Sequence, residues 1–98
     1  PVLAFNAPAA TALCAGLAPI VFPALAGRPP AAMVDGMIEA FGALGPALGM
    51  ETRLGALGIS HNHLPMLAQD AMKQTRLLVN NPREMTYEAA LGIYQSAL

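Results

Sequence analysis

The sequence predicts an all-α fold, a layer of a helical bundle without strands, and three observations carry that reading. Apolar residues recur at spacings of three and four over most of the chain. The interruptions are Pro, Gly and Asn clusters set a helix length apart. The one strand-like run, Leu77-Leu78-Val79, is too short and isolated to be more than a helix end or connector. The 98 residues suit one domain, and neither repeats nor low-complexity linkers divide it.

The first helix is expected to enter at Asn6-Ala7-Pro8, with Asn6 or its neighbour capping and Pro8 in the first turn, where a missing N–H costs nothing. Leu13, Leu17, Ile20, Val21 and Ala24 follow at helical spacing. Pro19 and Pro23 kink or end that helix near its last turn, and Ala26-Gly27-Arg28-Pro29-Pro30 is a loop. The second helix starts at Pro30 or Ala31 and runs to about Leu48, with Val34, Met37, Ile38, Phe41, Leu44 and Leu48 in one wide apolar stripe and Asp35 and Glu39 on another face. Gly42, Gly45 and Pro46 weaken its final turns, and Gly49 is a natural stop.

Arg53 to Leu57 allows barely more than one helical turn, closed by Gly58. Ser60 caps a third helix that buries Leu64, Leu67, Ala68, Ala71 and Met72, with Lys73 and Arg76 near its C-terminal end, where cations suit the helix dipole. Asn80-Asn81-Pro82-Arg83 is turn or extended chain, because a residue before proline is pushed out of the helical region. Thr86 caps a last helix with Glu88 in its first turn, and Tyr87, Ala90, Leu91, Tyr94 and Leu98 align as its docking stripe. The expectation is four helices.

Composition says that this layer needs a cover. Hydrophobic residues make up 55% and charged residues 11%, against about a quarter charged in an average soluble domain. A small domain has much surface for its volume, so such a chain leaves apolar faces for more of the same polypeptide, or a subunit, to cover. A net charge of -1 with five Lys and Arg gives no basic stripe for phosphates, which excludes nucleic acid as a partner. No charged residue occurs from Pro1 to Gly27, a span long enough on paper for a membrane. Pro8, Pro19 and Pro23, an alanine-rich composition and the lack of basic or aromatic flanks favour a buried soluble helix instead, and no basic region precedes it as in a secretory signal. The single Cys14 lies in an apolar run as a small buried hydrophobe rather than a reactive thiol. It offers no internal disulfide and fits a cytoplasmic setting.

Site chemistry is nearly absent. No glycine-rich dinucleotide loop, Walker loop or zinc-finger spacing occurs. His61 and His63 would diverge on a helix and point to opposite faces of extended chain, so they read as a solvated loop pair. Asp35 and Glu39 stand one turn apart with no third ligand, and Asp70 and Lys73 form an i,i+3 surface pair. Arg83, after its Asn-Pro turn, anchors the loop on backbone carbonyls rather than binding an anion. The six methionines read as core filler.

The run Leu77-Leu78-Val79-Asn80-Asn81-Pro82-Arg83-Glu84-Met85-Thr86 with its following helix resembles the C-terminus of an iron-containing alcohol dehydrogenase. The resemblance continues upstream through Leu57-Gly58-Ile59, through Leu64-Pro65-x-Leu67-Ala68-x-Asp70-Ala71, and to Phe5-Asn6-Ala7-Pro8-Ala9-Ala10, similar to the segment just after the family's metal-binding histidines. It covers nearly the whole chain. It implies that residues 1–98 are the C-terminal part of the all-helical metal and substrate domain of the dehydroquinate-synthase-like fold, a late piece of a longer enzyme. The nucleotide-binding α/β domain and the metal ligands lie outside it. In the family one Asp and three His hold a divalent metal, iron in many members and zinc in some. The metal polarises an alcohol or carbonyl oxygen while hydride passes to or from NAD(P).

None of those four ligands has a matching position, so the resemblance assigns no catalytic, cofactor-binding or metal residue here. It carries over one location. The residue four before Asn81, Leu77, corresponds to a position that lines the substrate pocket in several relatives, often as cysteine, and leucine there would offer an apolar wall. The full enzyme is expected to be a homo-oligomer and the isolated segment inactive. Two alternatives stand beside this reading: a maleylacetate reductase, whose sequences share the opening motif, and a non-catalytic helical interaction module. A membrane-associated peptide built on residues 1–27 is a third.

Overall fold

α1 (Val2–Val21) forms in the charge-free stretch. The computed structural model describes residues 1–98 and contains helices and turns, with no strand. α1 begins at Val2 rather than at Asn6, which corrects the expected entry. Pro8 takes away the N–H that would bond the Ala4 carbonyl, and two residues later Ala10 leaves the helical region at φ -130° and ψ 22°. The Asn-Ala-Pro signal therefore marks the approach to a kink inside a longer helix. At the other end Pro19 sits near the last turn and Pro23 opens a 3₁₀ turn (Pro23–Leu25), as the prolines predict.

Ala10, Cys14, Ala15 and Ala18 form the packed face of α1, in one cluster with Leu25, Val34 and Met37. These small side chains let α1 lie close against α2 (Pro30–Ala47). Leu25 is set over Gly36, where an added Cβ would fall 2.6 Å from its Cδ2. The large residues of α1 point the other way, with Leu13 73%, Leu17 55% and Ile20 75% exposed.

α2 keeps its expected bounds. Its end is a Schellman motif, in which the Met50 amide donates to the Gly45 carbonyl and the Gly49 amide to that of Pro46, with Gly49 at φ 71°. Val34 and Met37 are buried and Ile38 half-buried, whereas Phe41, Leu44 and Leu48 are exposed. Phe41 makes an edge-on contact with Phe22 at 5.0 Å between ring centres.

After a 3₁₀ turn (Gly55–Leu57) closed by left-handed Gly58, Ser60 opens a second such turn (His61–His63), and α3 (Leu64–Met72) begins only after it. The third helix is thus later and shorter than expected. Lys73 is its last half-turn, and Arg76 belongs to a separate short helix, α4 (Thr75–Leu78), set off by Gln74. α5 (Tyr87–Ala97) starts as expected, with Thr86 Oγ1 accepting from the Ala89 amide at 3.1 Å. Leu64, Ala68 and Ala90 are buried where α3 meets α5, and the rest of both stripes is half-buried.

The molecule is two helix pairs, α1 with α2 and α3 with α5, laid side by side in a slab 43 × 32 × 18 Å. Its radius of gyration is 14.9 Å, where a compact chain of this length has about 12.5 Å. It exposes 6444 Å², against about 5,300 Å² for a monomeric protein of its mass. The surplus agrees with the composition: the slab has apolar faces and ten buried residues.

Candidate functional site

The seam between the two helix pairs is stitched by polar contacts at one edge. The Asn6 Nδ2 donates to Asn81 Oδ1 at 2.7 Å, and the Asn81 Nδ2 donates back to Asn6 Oδ1 at 2.8 Å. Arg83 donates from a guanidinium nitrogen to the Phe5 carbonyl at 2.9 Å, and its guanidinium lies over the Phe5 ring, 4.2 Å from the centre. The Asn81 Nδ2 also donates to the Arg83 carbonyl, which curls the Asn-Pro-Arg turn around the asparagine. Arg83 therefore bonds a backbone carbonyl, as its position after the Asn-Pro turn suggests, but the carbonyl belongs to α1 and not to its own loop. Asn6 is the residue that sequence reasoning misplaced. A mid-helix asparagine in a charge-free segment was the available signal, since such a group needs a partner.

Leu77 lies on α4, 60% exposed, four residues before the clasped Asn81. The chain between them is tied down locally: the Asn80 Nδ2 donates to the Arg76 carbonyl and the Asn81 amide to that of Leu78. Below this edge a small apolar cavity of about 170 Å³ opens between Val2, Ala71, Leu78, Met85, Ala90, Ile93 and Tyr94.

A larger open cleft of about 530 Å³ runs between α1 and α2 along Ala4, Ala7, Pro8, Thr11, Val34 and Ile38. Asp35 and Glu39 stand at its rim, both exposed. Thr11 Oγ1 is occupied, donating to the Ala7 carbonyl at 2.9 Å. His61 and His63 are exposed on their 3₁₀ turn, and the Ser60 amide donates to His63 Nδ1 at 3.0 Å, engaging that ring nitrogen. The Asp70–Lys73 pair forms at 2.6 Å on the surface, and Cys14 is buried and free. No three His, Cys, Asp or Glu side chains come together in a metal-binding group. The His, Cys, Asp and Glu side chains of this chain are too dispersed to hold a divalent metal.

α1 is long and apolar enough to cross a membrane by length and composition, a test that the core helix of a soluble protein also passes. At the far edge of the slab, Arg53 donates to the Ser96 carbonyl, and the amides of Leu54 and Gly55 donate to the carbonyls of Ala97 and Leu98. These bonds satisfy the open end of α5.

A family model described as Fe-containing alcohol dehydrogenase family, C-terminal, matches residues 1–98. The curated proteins and the solved structures give no match.

Proposed function

Because the chain belongs to the Fe-containing alcohol dehydrogenase family, as its C-terminal domain, we propose that it serves as the helical segment of a metal- and NAD(P)-dependent enzyme that interconverts alcohols with aldehydes or ketones. The observation that carries this reading is the family match over all 98 residues. Iron and NAD(P) are implied for full-length members of the family. The residues that hold them belong to polypeptide outside residues 1–98, and these residues alone are inactive. Leu77 supplies an apolar wall to the substrate pocket and favours carbon-rich alcohols.

The outward face of α1 is covered by the remainder of the enzyme or by a second subunit of a homo-oligomer. Leu13, Leu17 and Ile20 at 55–75% exposure support a cover of some kind. Pro8, Pro19 and the hydrogen-bonded Asn6 within the helix support protein over lipid. Family members are generally soluble, and the proposed setting is the cytoplasm.

The test joins residues 1–98 to the nucleotide-binding and metal-binding regions of an active family member in place of its own C-terminal domain. The expected result is alcohol-dependent NAD(P) reduction that requires added Fe(II) or Zn(II). A folded, metal-loaded hybrid that reduces maleylacetate but oxidises no alcohol would move the assignment to the reductase branch. One active on neither would leave a non-catalytic interaction module.

A further inference from the structure

We infer that Asn6, Asn81 and Arg83 are positioning residues, a clasp that ties the turn after α4 to α1 and thereby fixes where Leu77, four residues upstream, stands as the pocket wall. The inference rests on the proposed placement of Leu77 in the substrate pocket.

α4 has four residues and buries none of them fully, and half-buried Leu78 is its one inward contact, so packing alone holds it weakly. The turn that follows supplies the polar ties. Asn81 exchanges two hydrogen bonds with Asn6, 75 residues away in sequence, at 2.7 and 2.8 Å. Arg83 adds a hydrogen bond to the Phe5 carbonyl at 2.9 Å and its place over the Phe5 ring. Asn6 and Asn81 are both half-buried, which removes part of the competition from water. A primary amide matches a second primary amide in both directions at once, donor to acceptor and acceptor to donor. Replacing either asparagine with aspartate keeps the size and destroys one of the two donations.

The two anchor points on α1, Phe5 and Asn6, fall just before Pro8 and the kink at Ala10. The segment of α1 that receives the clasp therefore lies on the N-terminal side of the kink. A shift of this segment is passed to Leu77 through four residues already tied to one another.

The experiment uses the active enzyme assembled around residues 1–98, metal-loaded, with Leu77→Ala, Asn6→Ala, Asn81→Ala, the Asn6/Asn81 double variant and Arg83→Lys. Its readouts are KM and kcat for a series of primary alcohols of increasing length, together with Tm and metal content. Each clasp variant is expected to reduce the preference between long and short alcohols by about tenfold, the scale of a methylene-sized change in an apolar pocket. That change should fall in KM, with metal content unaltered. The double variant should be no worse than the worse single, because both remove the same pair.

Where an alanine variant fails to fold, Arg83→Lys and the isosteric Asn6→Asp give the same readout. A Leu77→Ala enzyme with altered chain-length preference beside clasp variants that keep the parent preference overturns the clasp. An unaltered preference in Leu77→Ala overturns the wall reading and the positioning role with it, while alcohol oxidation by the parent still stands.

Discussion

The two helix pairs solve the same packing problem in opposite ways. α3 and α5 are short, have their polar and apolar residues on separate faces, and are set by identifiable devices, Ser60 ahead of the turn into α3 and Thr86 at the start of α5. Large side chains such as Leu64 fill their contact. α1 and α2 are long and lack side-chain caps; the alanines and cysteine of α1 pack on Val34 and Met37 of α2, Leu25 sits over Gly36, and the large side chains of α1 turn outward. An amphipathic helix has one face to offer, so its pattern names its partner. A helix apolar all round can give its small residues to one neighbour and its large residues to another, and its pattern alone does not say which.

The largest effect is expected in the C-terminal pair. Leu64 is 1% exposed and is the largest fully buried side chain. Leu64→Ala should cost about 2–5 kcal/mol through lost burial and the cavity left behind. Denaturant unfolding of the enzyme carrying this domain would show it as a lowered midpoint, and amide exchange should place the new opening in α3 and α5. Loss of protection in α1 and α2 instead would mean that the two pairs do not behave as separate units.

The N-terminal pair should fail through the opposite change. Ala18 is fully buried at 0% exposure, so Ala18→Leu forces α1 away from α2 and should cost about 1–3 kcal/mol by overpacking. Leu17→Ala, one residue away on the outward side, removes as many carbons as Ala18→Leu adds and should not disturb that contact. If the order is reversed in thermal unfolding, the small-residue face is not the packed one.

The fold was legible where local chemistry decided it. Pro30 as the first helical residue, Gly49 in the left-handed conformation after α2, and Thr86 as the cap of α5 all act within a few residues of themselves. Errors came where a distant partner decided. Asn6 has the chemistry of a cap, but its side chain is taken by Asn81, 75 residues on, and nothing near Asn6 announces that. The third helix ends early and α4 stands apart from it because Gln74, at φ -81° and ψ 49°, leaves the helical region, a break that no Pro or Gly marks. As for the site, the anchoring role of Arg83 was readable from the Asn-Pro turn, but its target on α1 was not.

A smaller effect should come from the cap. Thr86→Ala removes the acceptor of the Ala89 amide and should cost about 1 kcal/mol. α1 has no side-chain cap to lose, so the equivalent substitution has no counterpart in the N-terminal pair. Helix-start exchange at Ala89, measured by NMR or mass spectrometry, would show whether α5 frays as this predicts.

The smallest effect in the isolated domain is the most informative about the comparison. Leu17→Ser and Ile20→Ser act on side chains that are 55% and 75% exposed, and surface changes of this kind usually stay within about 0.5 kcal/mol. If residues 1–98 are studied alone, both variants should therefore unfold like the parent while resisting aggregation better. Once the proposed cover is in place the same side chains are buried, and each is then worth about 1.5–3 kcal/mol. The difference between the two backgrounds measures the covering contact itself, since the α1–α2 contact is common to both. Equal and negligible effects in the two would mean that the outward face stays in water, and the surplus of exposed surface would then have to be covered along Phe41, Leu44 and Leu48 of α2.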